Sequence, residues 1–122
     1  MSKVLTSNDA NFRNAVALVG LTVVDFWAPW CGPCKLFGPV FEKSSELNPE
    51  VTYVKVNVDE NPLLSEFFGI QSIPTTVFIR DTVVIASVPG VLSATELAEL
   101  IGQILLIDMS EINEEDSSGN IT

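Results

Sequence analysis

The chain of 122 residues carries 6 basic and 16 acidic side chains, a formal net charge of −10, two cysteines and no histidine. That length suits one domain with a single core, and the charge argues against a nucleic-acid binder or docking on anionic membranes, both of which need clustered Lys and Arg. The missing histidine removes Ser-His-Asp and Cys-His catalysis and imidazole metal ligands, while two cysteines build neither a disulfide scaffold nor a four-Cys zinc site.

A hydrophobic fraction of 47% is enough to bury a core. Lys3 to Thr6 reads as a short strand. Ser7 or Asn8 can cap a helix over roughly Asp9 to Val19, with Phe12, Val16 and Val19 at helical spacing and Gly20 ending it. The apolar stretch Ala15 to Val24 is assigned to a buried strand rather than a secretory signal. Asn8 and Asp9 precede it, Asp25 follows it, and no small-residue cleavage site appears. With no transmembrane segment, the expectation is an intracellular, cytoplasmic protein.

Leu21 to Ala28 is β-branched and aromatic and nearly continuous in its apolarity, as in a strand buried on both faces. Pro29 to Cys34 then leads into a helical pattern from Lys35 to Leu47, with Pro39 predicting a kink inside it. Val51 to Val58 is a second central strand. Asn61-Pro62 opens a short helix to about Phe68 that Gly69 closes.

Thr75 to Arg80 and Val83 to Val88 form an antiparallel hairpin about a turn near Asp81, and Pro89 places its second strand on a sheet edge. Ser93 to Glu96 is a capping box for a last helix with an apolar face of Leu97, Leu100, Ile101, Ile104 and Leu105. From Asp108 the chain turns acidic, with five acids and no base. Residues 1–107 are therefore assigned to the domain and 108–122 to a disordered tail, Ser117 to Asn120 above all. The order β-α-β-α-β-α-β-β-α describes a three-layer α/β/α sandwich around a mixed sheet.

Cys31 and Cys34 admit three readings: half a zinc site, a redox dithiol, or two ordinary core cysteines. Zinc would have to draw its other ligands from carboxylates. Position favours redox chemistry, because Cys31 falls where a buried strand gives way to a helix whose unpaired amides and dipole favour a thiolate. Gly32-Pro33 allows a tight turn and fixes the helix start. The spacing sets Cys34 one turn along, within disulfide reach, so that Cys31 attacks a partner's disulfide and Cys34 resolves the mixed disulfide.

The run from Val24 to Lys35, Val-Asp-Phe-Trp-Ala-Pro-Trp-Cys-Gly-Pro-Cys-Lys, resembles the active-site signature of the thioredoxin family. Ile73-Pro74-Thr75 and Lys55 to Asp59 resemble two further family segments, and with the element order the likeness spans roughly residues 3 to 107. The resemblance implies the thioredoxin fold. It makes Asp25 the buried carboxylate that assists proton transfer at Cys34, Lys55 the neighbour that biases it, and Trp27 a ring packed beneath the site. The alternative for Asp25 is a hydrogen-bonded structural acid. Substrate would meet Trp30, Gly32, Pro33, Ile73, Pro74, Gly90 and Val91, with a cis bond before Pro74, although an ordinary trans proline fits the sequence equally. Three departures stand out: Asp81-Thr82 replaces the Asn-Gly or Asp-Gly of the hairpin turn, which would loosen it, Pro89 stiffens the loop before Gly90, and the acidic tail beyond Asp108 extends past the usual end of the family.

The first function implied is a protein-disulfide reductase with no bound cofactor or metal, its electrons coming from NADPH through thioredoxin reductase, because no Gly-x-Gly-x-x-Gly fingerprint offers a dinucleotide site here. Alternatives are a thiol oxidant or isomerase of the same fold, which Gly32-Pro33 disfavours, and a binding module gripping partners on a Trp30, Ile73, Val91 rim. A monomer is the default. The expected partners are the reductase and disulfide-containing proteins, with no nucleic acid and no membrane.

Overall fold

A computed structural model describes residues 3–111. The chain runs β1 (Leu5–Ser7), α1 (Phe12–Ala15), β2 (Leu21–Trp27), α2 (Gly32–Leu47), β3 (Thr52–Asn57), α3 (Pro62–Phe67), β4 (Thr75–Arg80), β5 (Val83–Pro89) and α4 (Ala94–Leu105), ending in a 3-10 turn at Met109–Glu111. The five strands form one sheet in the order β1-β3-β2-β4-β5. β3 lies parallel to β1 and β2, while β4 and β5 run antiparallel. This is the α/β sandwich with a mixed sheet that the element order predicts.

β2 sits between β3 and β4 and is buried along both faces, which is why its sequence reads as an unbroken apolar run. Alternate residues feed two cores. Leu21 and Val23 join Tyr53 and Phe78 against Phe37 and Phe41 of α2 and Leu97, Ile101 and Ile104 of α4. Val24 and Phe26 join Val54, Val56, Val77 and Ile79 against Phe12 of α1 and Leu64 of α3. α4 begins with the predicted capping box, Ser93 Oγ accepting from the Glu96 amide at 3.1 Å and Glu96 Oε1 from the Ser93 amide at 2.9 Å. Its end is closed by Arg80, whose Nη1 donates to the Ile104 and Ile107 carbonyls at 2.7 and 2.6 Å.

Four expectations need correcting. α1 is a single turn, Phe12–Ala15, and stops well short of Val19, which is 85% exposed. Only the last part of Ala15 to Val24 is strand. The intervening loop is held in place: Ala17 N–H donates to Thr22 Oγ1, and Gly20 N–H donates to Asp81 Oδ1 at 2.7 Å while its carbonyl accepts from the Asp81 amide. Those bonds tie the β4–β5 turn rather than leave it loose, with Asp81 and Thr82 both at positive φ, 51° and 70°. α3 is capped from a distance, Asp9 accepting from the Leu63 and Leu64 amides, while Asn61 instead bonds the Asn57 carbonyl and the Asp9 amide. Within the described residues, the acidic segment from Asp108 carries a 3-10 turn at Met109–Glu111, where Asp108 Oδ1 accepts from the Ser110 amide and hydroxyl. The rest of the tail assigned as disordered, with Ser117 to Asn120, lies outside the described residues.

Candidate active site

β2 delivers the chain to the strand's C-terminal end at Trp27, and the loop Ala28 to Trp30 turns it into α2. Cys31 is the N-cap of that helix, with extended backbone and Pro33 in the first turn. Its Sγ accepts from the Cys34 amide at 3.2 Å, so one of the donors that a helix start leaves unpaired points at sulfur. The two cysteines are joined in a disulfide, with Cα atoms 5.3 Å apart. Both are buried, whereas Gly32 and Pro33 between them are exposed. α2 continues through Pro39, which sits exposed within it, to Leu47.

Trp27 and Ile73 pack against the small cluster of Ala28, Cys31 and Cys34. Trp30 is 69% exposed, and its Nε1 donates to Asp59 Oδ2 at 2.8 Å. The Ile73–Pro74 bond is cis, with the Ile73 carbonyl oxygen 3.7 Å from Cys31 Sγ. Gly90 donates its amide to the Pro74 carbonyl at 2.8 Å, at a φ of 95° that favours glycine. Thus Ile73, Pro74 and Gly90 come together beside Cys31, and Val91 stands exposed next to them. A groove of about 370 Å³ runs alongside, walled by Trp30, Ile73, Val58, Ile70, Gln71 and Ser72 among others. Of these, Val58, Ile70, Gln71 and Ser72 were not marked as site residues in the sequence, and neither was the anchor Asp59. Their signal was adjacency to the Lys55–Asp59 and Ile73-Pro74 segments.

On the α2/α4 side of the sheet, Asp25 on β2 is 1% exposed and in register with Lys55 on β3 and Thr76 on β4. Burial pushes its carboxyl up to about 7, with the positive charge of Lys55 pulling the other way. Lys55 Nζ lies over the Trp27 ring, 4.7 Å from its centroid. A cleft of about 290 Å³ lined by Trp27, Lys55, Cys34 and Lys35 adjoins this row. The larger cavity of about 540 Å³ between α1 and α3, walled by Asp9, Arg13, Leu63 and Phe67, contains neither cysteine. Among the described residues no group of three or more Cys, Asp or Glu side chains could hold a metal ion, and no helix is long and apolar enough to cross a membrane.

Two sulfurs that can join and part at the mouth of a helix carry out thiol–disulfide exchange, and thiol–disulfide oxidoreductases are the class that this fold and site define. The thioredoxin family model matches residues 3–103. The thioredoxin of Haemophilus influenzae is 44% identical over 105 residues, covering 84% of this chain and 98% of its own. Thioredoxin 1 of Synechococcus elongatus is 39% identical over 107 residues, covering 86% and 100%. The solved structure of Malassezia sympodialis thioredoxin superposes with a TM-score of 0.76 at 37% identity, covering 84% of this chain and 91% of that one. The chain belongs to the thioredoxin family, and its activity is reduction of protein disulfides.

Proposed function

We propose that Cys31 is the attacking thiol and Cys34 the resolving one. The Cys31 thiolate attacks a substrate disulfide, breaking its S–S bond and releasing one substrate sulfur as a thiolate that takes up a proton. Cys34, giving up its own proton, then attacks Cys31 Sγ. The mixed disulfide breaks, the second substrate sulfur leaves and is protonated, and Cys31 and Cys34 end oxidised while the substrate has gained two electrons. The α2 N-terminus favours negative charge on Cys31. Asp25 accepts and returns the proton of Cys34. A carboxyl held near 7 suits that work, because a proton carrier is most useful when its affinity lies close to the operating pH. Lys55 tunes it. Trp27 and Pro39 hold the frame around the site.

An extended substrate segment lies along Ile73, Pro74 and Gly90, with apolar side chains on Trp30 and Val91 and its disulfide over Gly32 and Pro33. The Ile73 carbonyl beside Cys31 Sγ and the neighbouring groove support this path. The oxidised protein is returned to the dithiol by thioredoxin reductase at the expense of NADPH, making the chain an electron carrier that works as a monomer in the cytoplasm. The observation that carries the reading is Cys31 as N-cap with its sulfur on the Cys34 amide. Insulin reduction tests it: Cys31→Ser abolishes turnover, and turnover retained in that variant removes Cys31 from its role.

A further inference from the structure

Among the described residues, Asp25 Oδ1 and Thr76 Oγ1 are both buried without a hydrogen-bond partner, and so is Trp27 Nε1. Orphaned polar atoms of this kind are rare, since each gives up its water for nothing. Thr76 is 0% exposed and stands directly opposite Asp25 on the neighbouring antiparallel strand. Residues so paired carry their side chains on the same sheet face, with Cβ atoms about 4.5–5.5 Å apart. The residue opposite Thr76 on its other side is Val88, and along its own strand the positions on that face are Pro74 and Phe78. Asp25 is therefore the one polar side chain in register with the hydroxyl.

We propose that the Thr76 hydroxyl is the hydrogen-bond donor that meets the Asp25 carboxylate when it is ionised, which makes Thr76 a positioning residue for the proton step. The pairing rests on the role proposed for Asp25 only in that last clause. A turn about one side-chain bond brings the hydroxyl from one staggered position to another and spans the gap between the strands. A neutral carboxyl does without it, but an anion in this apolar layer does not.

The other groups facing the carboxyl are few. Lys55 on β3 acts on it through space, and its Nζ is engaged over the Trp27 ring. Cys34 and Lys35 of α2 line the adjoining cleft. Among the described residues the Trp27 indole is the rival donor within the three orphaned atoms, and its bulk, packed against the cysteine cluster with Lys55 on its face, leaves it little freedom to turn. As a mere strand former Thr76 would be interchangeable with valine, and losing the orphaned hydroxyl would leave the carboxyl unaffected.

The test is a titration of the Asp25 carboxyl carbon by NMR in the oxidised full chain, where the disulfide-bonded cysteines do not titrate. Thr76→Val raises the midpoint by about one pH unit, the size expected for a hydrogen bond to a charged group. Thr76→Ala does the same, which covers any misfolding of the valine variant, and Thr76→Ser restores the original midpoint. An unmoved midpoint in both hydroxyl-free variants overturns the proposal, as does an upward shift in Trp27→Phe with none in Thr76→Val. Insulin reduction by Asp25→Asn separately tests the proton role of Asp25 and leaves the titration result to stand or fall alone.

Discussion

The two faces of the central sheet are built from the same strands and differ sharply. On the α1/α3 side, β2, β3 and β4 contribute the fully buried Val24, Phe26, Val54, Val56, Val77 and Ile79, and the two buried hydroxyls there, Thr22 and Thr75, both have hydrogen-bond partners. On the α2/α4 side the same strands carry Asp25, Lys55 and Thr76 in one row across the sheet, beyond a core of Leu21, Val23, Tyr53 and Phe78. Because side chains alternate, Phe26 and Asp25 are neighbours in sequence yet face opposite layers. One face is given to stability. The other accepts a buried acid and two orphaned hydrogen-bonding atoms toward the end of β2 that leads to the cysteines, and such departures from good packing are expected where a fold does chemistry.

Mutations on the two faces therefore differ in kind. Phe26→Ala removes a fully buried ring packed against Phe68 on the apolar face. It lowers unfolding stability by about 3–5 kcal/mol in denaturant titration. Asp25→Asn acts the other way. Below 3.8 the carboxyl is protonated in folded and unfolded chains alike. Between 3.8 and about 7 the unfolded chain sheds a proton that the folded one keeps, so this group costs wild type stability as pH rises, and above about 7 that loss is complete. Denaturant titrations at pH 4 and pH 8 then show Asp25→Asn gaining about 3–4 kcal/mol relative to wild type across the interval. Its exchange rate at pH 7 falls roughly a hundredfold, the low end of what a positioned proton carrier supplies. The smallest effect tests the asymmetry itself. At pH 5, where the folded chain keeps Asp25 protonated, Val77→Thr puts a hydroxyl into the apolar face and costs about 1–3 kcal/mol, whereas Thr76→Val on the facing layer stays close to neutral in stability. Equal costs for the two swaps would erase the distinction between the faces.

Much of this was legible in the chain. The continuous run of β2, the Ser93–Glu96 box and the hairpin about Asp81 are local signals, and each produced the element it predicts. Cys31 and Cys34 announced a site because turn, helix start and spacing all lie within a few residues. What stayed hidden depends on distant partners. The loop after α1 is fixed by Asp81, some sixty residues on, so the helical spacing of Val16 and Val19 misled. Asp9 caps α3 across more than fifty residues, and no local rule distinguishes it from Asn61. Thr76 meets Asp25 only because β4 lies next to β2, a pairing that strand propensity does not specify.

The central claim is the order of attack at the helix start. In a Cys34→Ser variant incubated with a disulfide peptide, intact mass should show one peptide half held on Cys31, stable because the resolving sulfur is gone. Cys31→Ser should hold none. An adduct on Cys34 in the second variant, and none on Cys31 in the first, would contradict the account.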